Sequence, residues 1–315
     1  MRPNYICIGV QKSGTTSLIK YLNCHPDIYI VDDNPPYNEK HFFDRSLDEG
    51  QLTNDEIKKY EESFKTDKLI VGEKTPSYCY LRYAIDRIYD YDKNMKLIII
   101  LREPISRAFS SYNMGLNFNG QTLSNVTEEQ MFSKFKSEEN IKLNEVKSNG
   151  TYFIARGFYD EILEYILSKF SRDKVYIGIS EEINQDKLKH YNEIYDFLGA
   201  TKLENLDDGS NVHVREYKKT IPKKLENYLY NIYEPHNNKL YNILGRKVDI
   251  WESYYSQLKL DMELEIKSDF DWEFYTSFYR DLSHLNTYEK AYSHWLKHGK
   301  SENRISNNKF LVKNS

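Results

Sequence analysis

Tyr5-Ile6-Cys7-Ile8-Gly9-Val10-Gln11-Lys12-Ser13-Gly14-Thr15-Thr16-Ser17-Leu18 passes from an apolar run, through a polar loop with two glycines, into the start of an amphipathic helix. That order predicts a strand, an anion-cradling loop and a helix N-terminus. A helix start presents unpaired backbone N–H groups and a partial positive charge, so an anion in the loop is held mainly by main chain. Gly9 and Gly14 let the backbone approach closely, while Ser13, Thr15, Thr16 and Ser17 offer hydroxyl donors.

The spacing Gly9-x-x-x-x-Gly14 invites comparison with a nucleotide-triphosphatase P-loop, which needs Lys directly after its second glycine and then Ser/Thr on magnesium. Thr15 stands in that place, and the lysine, Lys12, comes two residues before Gly14. Taken alone, the loop also fits a strand-to-helix entry in some other α/β domain.

The 315 residues are enough for one large α/β domain with a small appendage. Hydrophobic residues make up 39%, and with 28 Tyr and 15 Phe much of the apolar burial must come from aromatic rings. A formal charge of −4 gives no global field that would steer the chain to nucleic acid, so a polyanion site must be a local basic cleft. Cys7, Cys24 and Cys79 are too widely spaced to suggest a disulfide framework or a metal cluster, and reduced thiols are expected. No apolar run approaches the ~20 residues of a membrane span, and the first strand begins almost at Met1, so a soluble, cytoplasmic protein is expected.

Outward from the loop, Leu18, Ile19, Tyr21 and Leu22 supply the buried side of a first helix, and Asp27 to Val31 reads as a short strand. The segment Glu39-Lys40-His41-Phe42-Phe43-Asp44 follows a proline-containing loop. If extended, it places Glu39, His41 and Phe43 on one face and Lys40, Phe42 and Asp44 on the other. Thr53-Asn54-Asp55-Glu56 is a capping-box signature for a helix to about Ser63. Leu69 to Glu73 predicts a core strand. Lys96-Leu97-Ile98-Ile99-Ile100-Leu101, the most apolar run, suits a parallel strand buried on both faces. It ends in Arg102-Glu103-Pro104, which puts Arg102 at the carboxyl end of a central strand, where open α/β sheets bind ligands. Val175 to Ile179 is the next strand, between helices expected over 157–170 and 188–198. Strands alternating with helices argue a parallel sheet. From about Leu258 the composition turns acidic and aromatic, and a helical appendage over 258–315 is expected after a main domain over 1–257.

Four pieces together resemble one family: Lys12-Ser13-Gly14-Thr15-Thr16, Glu39 to Asp44, Gly72-Glu73-Lys74-Thr75-Pro76-Ser77-Tyr78, and Leu101-Arg102-Glu103-Pro104 through Ser110-Ser111-Tyr112. The pattern is similar to sulfotransferases that use 3′-phosphoadenosine 5′-phosphosulfate (PAPS), most closely the heparan sulfate glucosaminyl 3-O-sulfotransferases and the related N-sulfotransferase domains. The similarity runs from about Asn4 to Trp251. It implies an α/β, P-loop-like sulfotransferase fold whose central parallel sheet is flanked by helices.

The resemblance also implies roles. Lys12 and the backbone of Ser13, Gly14, Thr15, Thr16 and Ser17 would hold the 5′-phosphosulfate, and Arg102 with Ser110 the 3′-phosphate. Glu39 matches the general base, with His41 as the other candidate, and Lys74 matches a second lysine near the sulfate. His41, Asp44 and Lys40 fall at acceptor-site positions. Arg215, Lys218 and Lys219 sit where the family carries a basic loop closing over the nucleotide. No metal is implied, because lysines, arginine and the helix dipole supply the charge. Thr16 stands where the family often has Arg, and the family's disulfide loop near the carboxyl end has no counterpart. The expected activity is sulfuryl transfer from PAPS to a hydroxyl, or an amine, of a carbohydrate acceptor. A catalytically silent glycan-binding protein on the same fold and a P-loop kinase are the alternatives.

Overall fold

The computed structural model describes residues 1–31, 38–45, 51–147, 150–206 and 220–308. Five strands, β1 (Tyr5–Gly9), β2 (Ile28–Ile30), β3 (Ile70–Lys74), β4 (Lys96–Leu101) and β5 (Val175–Ile179), form one sheet in the order β2-β3-β1-β4-β5. Every pairing is parallel, with Cys7 beside Lys74, Gly9 beside Ile99 and Leu101 beside Ile179. Parallel neighbours need crossover helices, which cover both faces, so the strands are apolar on both sides. Ile6, Ile8, Leu97, Ile99 and Leu101 are fully buried, and so are Tyr5, Cys7 and Ile98 between them.

The crossovers are α1 (Thr15–Cys24), α2 (Asn54–Glu62), α3 (Arg82–Tyr91), α4 (Pro104–Phe118), α5 (Glu128–Lys136) and α6 (Tyr159–Lys169), and after the last strand come α7 (Ser180–Gln185), α8 (Lys187–Leu198) and α9 (Lys223–Leu244). One face carries Leu18, Ile19 and Leu22 of α1 with Ile194, Tyr195 and Leu198 of α8, packed on Tyr5, Cys7, Ile98 and Ile100. Helix α2 begins with the expected capping box, in which Thr53 accepts from Glu56 N and Glu56 accepts from Thr53 N. Helix α8 ends at Gly199, whose φ of 89° is the left-handed cap that glycine adopts without strain.

The strand order sets the site. After β1 the chain winds outward to one edge, then returns through β3 and crosses to the far side of β1 to lay down β4. Winding direction therefore reverses between β1 and β4, and the loops leaving their carboxyl ends diverge and open a crevice. The 10–14 loop leaves β1 there, Arg102 leaves β4, and Lys74 ends the adjacent β3.

The described residues fall into two compact units, one within 1–250 and one from 251 to 308. The second holds most of α10 (Asp249–Asp269), together with α11 (Trp272–Phe278) and α12 (Tyr288–His294). Its own small core is Phe270, Tyr275, Leu282 and Ala291, ringed by Trp272, Tyr279, Tyr292 and Trp295. No helix among the described residues is long and apolar enough to cross a membrane.

Candidate active site

The loop after β1 turns sharply. Lys12 and Gly14 have φ of 76° and 90°, and Ser13 Oγ donates to the Val10 carbonyl at 2.6 Å. Glycine is needed at both ends for different reasons. Gly14 adopts the left-handed region, and a Cβ at Gly9 would collide with Cys79 Sγ. Helix α1 then starts with no side-chain cap and no acid in its first turn. Its opening N–H groups and positive dipole end are therefore left to an anion. A phosphate-bearing donor fits this cradle.

Two arginines grip the loop from outside. Arg102 Nη1 donates to the Lys12 carbonyl at 3.1 Å, and the Arg102 carbonyl in turn accepts from Tyr159 Oη at 2.9 Å. Arg156, buried and lying 4.3 Å from the Tyr80 ring centroid, donates from Nη1 to Gln11 Oε1 at 2.8 Å. The sequence reading did not assign Arg156 a part in the loop. Ser110 is buried inside α4, whose start is capped by Glu103 through Ile105 N and Ser106 N.

The second half of the site joins the end of β3 to residues 38–45. Lys74 Nζ lies 3.0 Å from Glu39 Oε1, while Glu39 Oε2 lies 3.2 Å from His41 Nε2. His41 Nδ1 is 2.9 Å from Asp44 Oδ2, which also accepts from Ser77 Oγ. A chain of four alternating charges, Lys74–Glu39–His41–Asp44, results. Glu39 and His41 do share a face as expected, but residues 39–44 are not an extended strand. His41 has φ of 50°, and that turn brings Asp44 round to the imidazole's other nitrogen instead of leaving it on the opposite face. Lys40 points elsewhere, its ammonium 5.6 Å from the Phe64 ring centroid.

The charges reinforce one another. The Asp44 hydrogen bond, then the Glu39 hydrogen bond, push His41 up to about 10, against burial, so it is an imidazolium at neutral pH. Burial acts to raise Glu39, but the His41 hydrogen bond and the Lys74 charge outweigh it and hold the carboxyl below its usual value of 4.5. Glu39 is therefore an ionised carboxylate beside a buried ammonium. Arg215, Lys218 and Lys219 lie outside the described residues. Among the described residues no group of His, Cys, Asp and Glu has the arrangement of a metal site.

Comparison with known proteins agrees with this geometry. The family described as "Sulfotransferase domain" matches residues 2–241. Human heparan sulfate glucosamine 3-O-sulfotransferase 3B1 is 32% identical over 201 residues, covering 64% of this chain and 47% of that protein. Mouse heparan sulfate glucosamine 3-O-sulfotransferase 3A1 is 28% identical over 266 residues, covering 78% of this chain and 63% of that one. The matched stretch thus spans roughly half to two thirds of these relatives. A solved sulfotransferase from Alicyclobacillus acidocaldarius superposes with a TM-score of 0.62 at 26% identity, covering 80% of this chain and 99% of that one. With an anion cradle after β1, Arg102 against it and Lys74 one strand away, the chain belongs to the sulfotransferase domain family.

Proposed function

We propose that this protein transfers the sulfuryl group of PAPS to a hydroxyl of a carbohydrate, with Glu39 as general base; an amine acceptor is the less favoured form of the same reaction. The observation that carries the reading is the Lys74–Glu39 pair at the edge of the anion-binding crevice, which sets a carboxylate beside a cation. The carbohydrate acceptor is supported by the heparan sulfate glucosamine 3-O-sulfotransferase relatives.

In the proposed reaction, Glu39 takes the proton of the acceptor hydroxyl as its oxygen forms the new bond to sulfur. The bond from sulfur to the 5′-phosphate oxygen breaks on the opposite side, releasing adenosine 3′,5′-bisphosphate. Lys12, the N–H groups of residues 13–17 and Lys74 stabilise the charge that grows on the leaving phosphate. Arg102 and Ser110 hold the 3′-phosphate, where a guanidinium fork and a hydroxyl suit its oxygens. His41, turned toward Glu39 and backed by Asp44, is the acceptor-side group of this proposal, whereas Lys40, directed at the Phe64 ring, has no part in it. Lys74 cannot serve two anions at full strength. As the phosphosulfate draws on its ammonium, Glu39 loses part of the pairing that depresses its pKa and becomes a better base once the donor is in place.

The test is transfer from labelled PAPS to a panel of glycans, amines and phenols, with EDTA present and Glu39→Gln run in parallel. Turnover on a glycan that Glu39→Gln loses by ~100-fold or more, the usual worth of a general base, supports both reaction and base. Donor binding without turnover on any acceptor supports a silent binding protein, and no donor binding overturns the proposal. A cytoplasmic location belongs to the same proposal and is read by fractionating cells that express the full-length protein.

A further inference from the structure

Glu73, next to Lys74 on β3, is fully buried and has no part in the chemistry above. Its carboxyl collects three hydroxyls. Tyr60 Oη and Tyr78 Oη donate to Oε1 at 2.9 and 3.1 Å, and Thr75 Oγ1 donates to Oε2 at 2.7 Å. Two of those hydroxyls reach further. Thr75 Oγ1 accepts from Lys40 N at 3.1 Å and His41 N at 3.3 Å, and Tyr78 Oη accepts from Phe42 N at 2.9 Å and Phe43 N at 3.2 Å.

We propose that Glu73 is the positioning residue of the catalytic segment: by taking the protons of Thr75 and Tyr78 it turns their lone pairs onto the backbone N–H groups of residues 40–43, and so holds Glu39 and His41 in place. A carboxylate only accepts hydrogen bonds, and a hydroxyl has one proton to give. With that proton committed to Glu73, each hydroxyl is left as a double acceptor, which is what two successive N–H groups require. The segment needs such an anchor. Asn38 and His41 both have positive φ, a conformation that costs free energy in non-glycine residues and persists only where surroundings enforce it. Tyr60 is the built-in control, since it donates to the same carboxylate but meets the segment through its ring, stacked 4.2 Å from that of Phe42 and edge-on at 5.4 Å to that of Phe43.

The inference rests on Glu39 acting as base, and the experiment separates the two. Glu73→Gln, Thr75→Val, Thr75→Ser, Tyr78→Phe and Tyr60→Phe are compared with wild type and Glu39→Gln. The assay pH is about 8, above the value of about 7 to which burial pushes the Glu73 carboxyl. The readouts are kcat, acceptor KM, affinity for adenosine 3′,5′-bisphosphate, and Tm. A glutamine offers an NH2 to one side of the cluster, which a committed double acceptor has no lone pair left to receive. Glu73→Gln, Thr75→Val and Tyr78→Phe should therefore lose ~10- to 100-fold in kcat, as small misplacements of reacting groups do, with nucleotide affinity unchanged. Thr75→Ser should restore kcat, and Tyr60→Phe should keep it while losing Tm.

Glu73→Gln with wild-type kcat overturns the proposal, and so does a series in which kcat simply follows Tm with Tyr60→Phe included. If Glu73→Gln does not fold, the Thr75→Ser and Thr75→Val pair decides the matter alone. If Glu39→Gln keeps its turnover, the base assignment has failed. If only Glu39→Gln loses turnover, the positioning role has failed and the base assignment stands.

Discussion

Lys74 and Glu39 form an ion pair of 3.0 Å in which the ammonium is 2% exposed and the carboxylate 18%. A lysine so deeply withdrawn from water needs an anion at all times. Glu39 supplies one in the free protein, and the proposed phosphosulfate supplies a second. Lys74→Met should therefore act on the chemical step and not merely on folding. We expect kcat to fall ~100-fold or more, the range seen when one preorganised donor to a developing charge is removed. Tm should fall as well, because Glu39 keeps only His41. Steady-state kinetics beside thermal melts check this, and a variant that melts early but turns over normally would reduce Lys74 to a structural partner.

The His41–Asp44 contact predicts a pH response. Glu39 must be ionised to act as base, and its carboxyl is held below 4.5, so the base itself is lost only as pH falls through that lowered value. From about pH 5 to about pH 9 the wild-type kcat/KM profile should show no limb belonging to this group. Asp44→Asn removes the largest cause of the raised His41 pKa, which drops from about 10 toward 6.5. His41 is still an imidazolium at the pH where Glu39 takes its proton, so the acid limb should stay where it is, and a new limb, from loss of the His41 proton, should appear between 6.5 and about 10. An Asp44→Asn profile with no new limb in that interval would show that Asp44 does not set the His41 pKa.

Arg102 and Ser110 should matter to the nucleotide and not to the base. Arg102 already braces the loop through the Lys12 carbonyl. Its removal should cost the hydrogen bond to that carbonyl and the charged contact to the 3′-phosphate together. Hydrogen bonds to charged groups are worth ~1.5–3 kcal/mol, so Arg102→Ala should weaken adenosine 3′,5′-bisphosphate by about 10- to 100-fold, and Ser110→Ala by less. The acid limb of the pH profile should stay where it is. Calorimetric titration with the bisphosphate checks the affinities.

What could be read from the sequence was local. Lys96 to Leu101 is apolar after its lysine, with three successive isoleucines, and folds as the buried strand its composition demands, and Thr53 and Glu56, three apart, cap α2 as that spacing requires. The loop from Val10 to Gly14 is likewise a short-range pattern. Asp44 was misplaced relative to His41 because face alternation assumes an extended backbone, and the left-handed turn at His41 breaks it. Arg156 went unassigned to the loop because Gln11 lies 145 residues away in the chain. Glu73 carried no visible role for the same reason. Its importance comes from hydroxyls on Thr75 and Tyr78 that reach residues more than thirty positions upstream. Long-range hydrogen bonds of this kind leave no periodicity in a single sequence.

Glu73 also predicts how stability should vary with pH. Burial is the main cause that raises its carboxyl from 4.5 to about 7, with the Thr75, Tyr60 and Tyr78 hydrogen bonds working against it and the Asp44 charge adding to it. Between those two values the folded protein keeps a proton that the unfolded chain has released. Folding is then favoured at the acid end, and the stabilisation is lost as pH rises from 4.5 through about 7. The whole change is on the order of 3 kcal/mol. Tyr60 and Tyr78 titrate far above this window, because burial raises both phenols. Glu73→Gln has no proton to lose there. Its stability relative to wild type should climb across the window and level off above it, as read by urea unfolding at a series of pH values. A flat difference would mean that Glu73 ionises in the folded protein as easily as in the unfolded chain, which a fully buried carboxyl held by three neutral hydroxyls should not do.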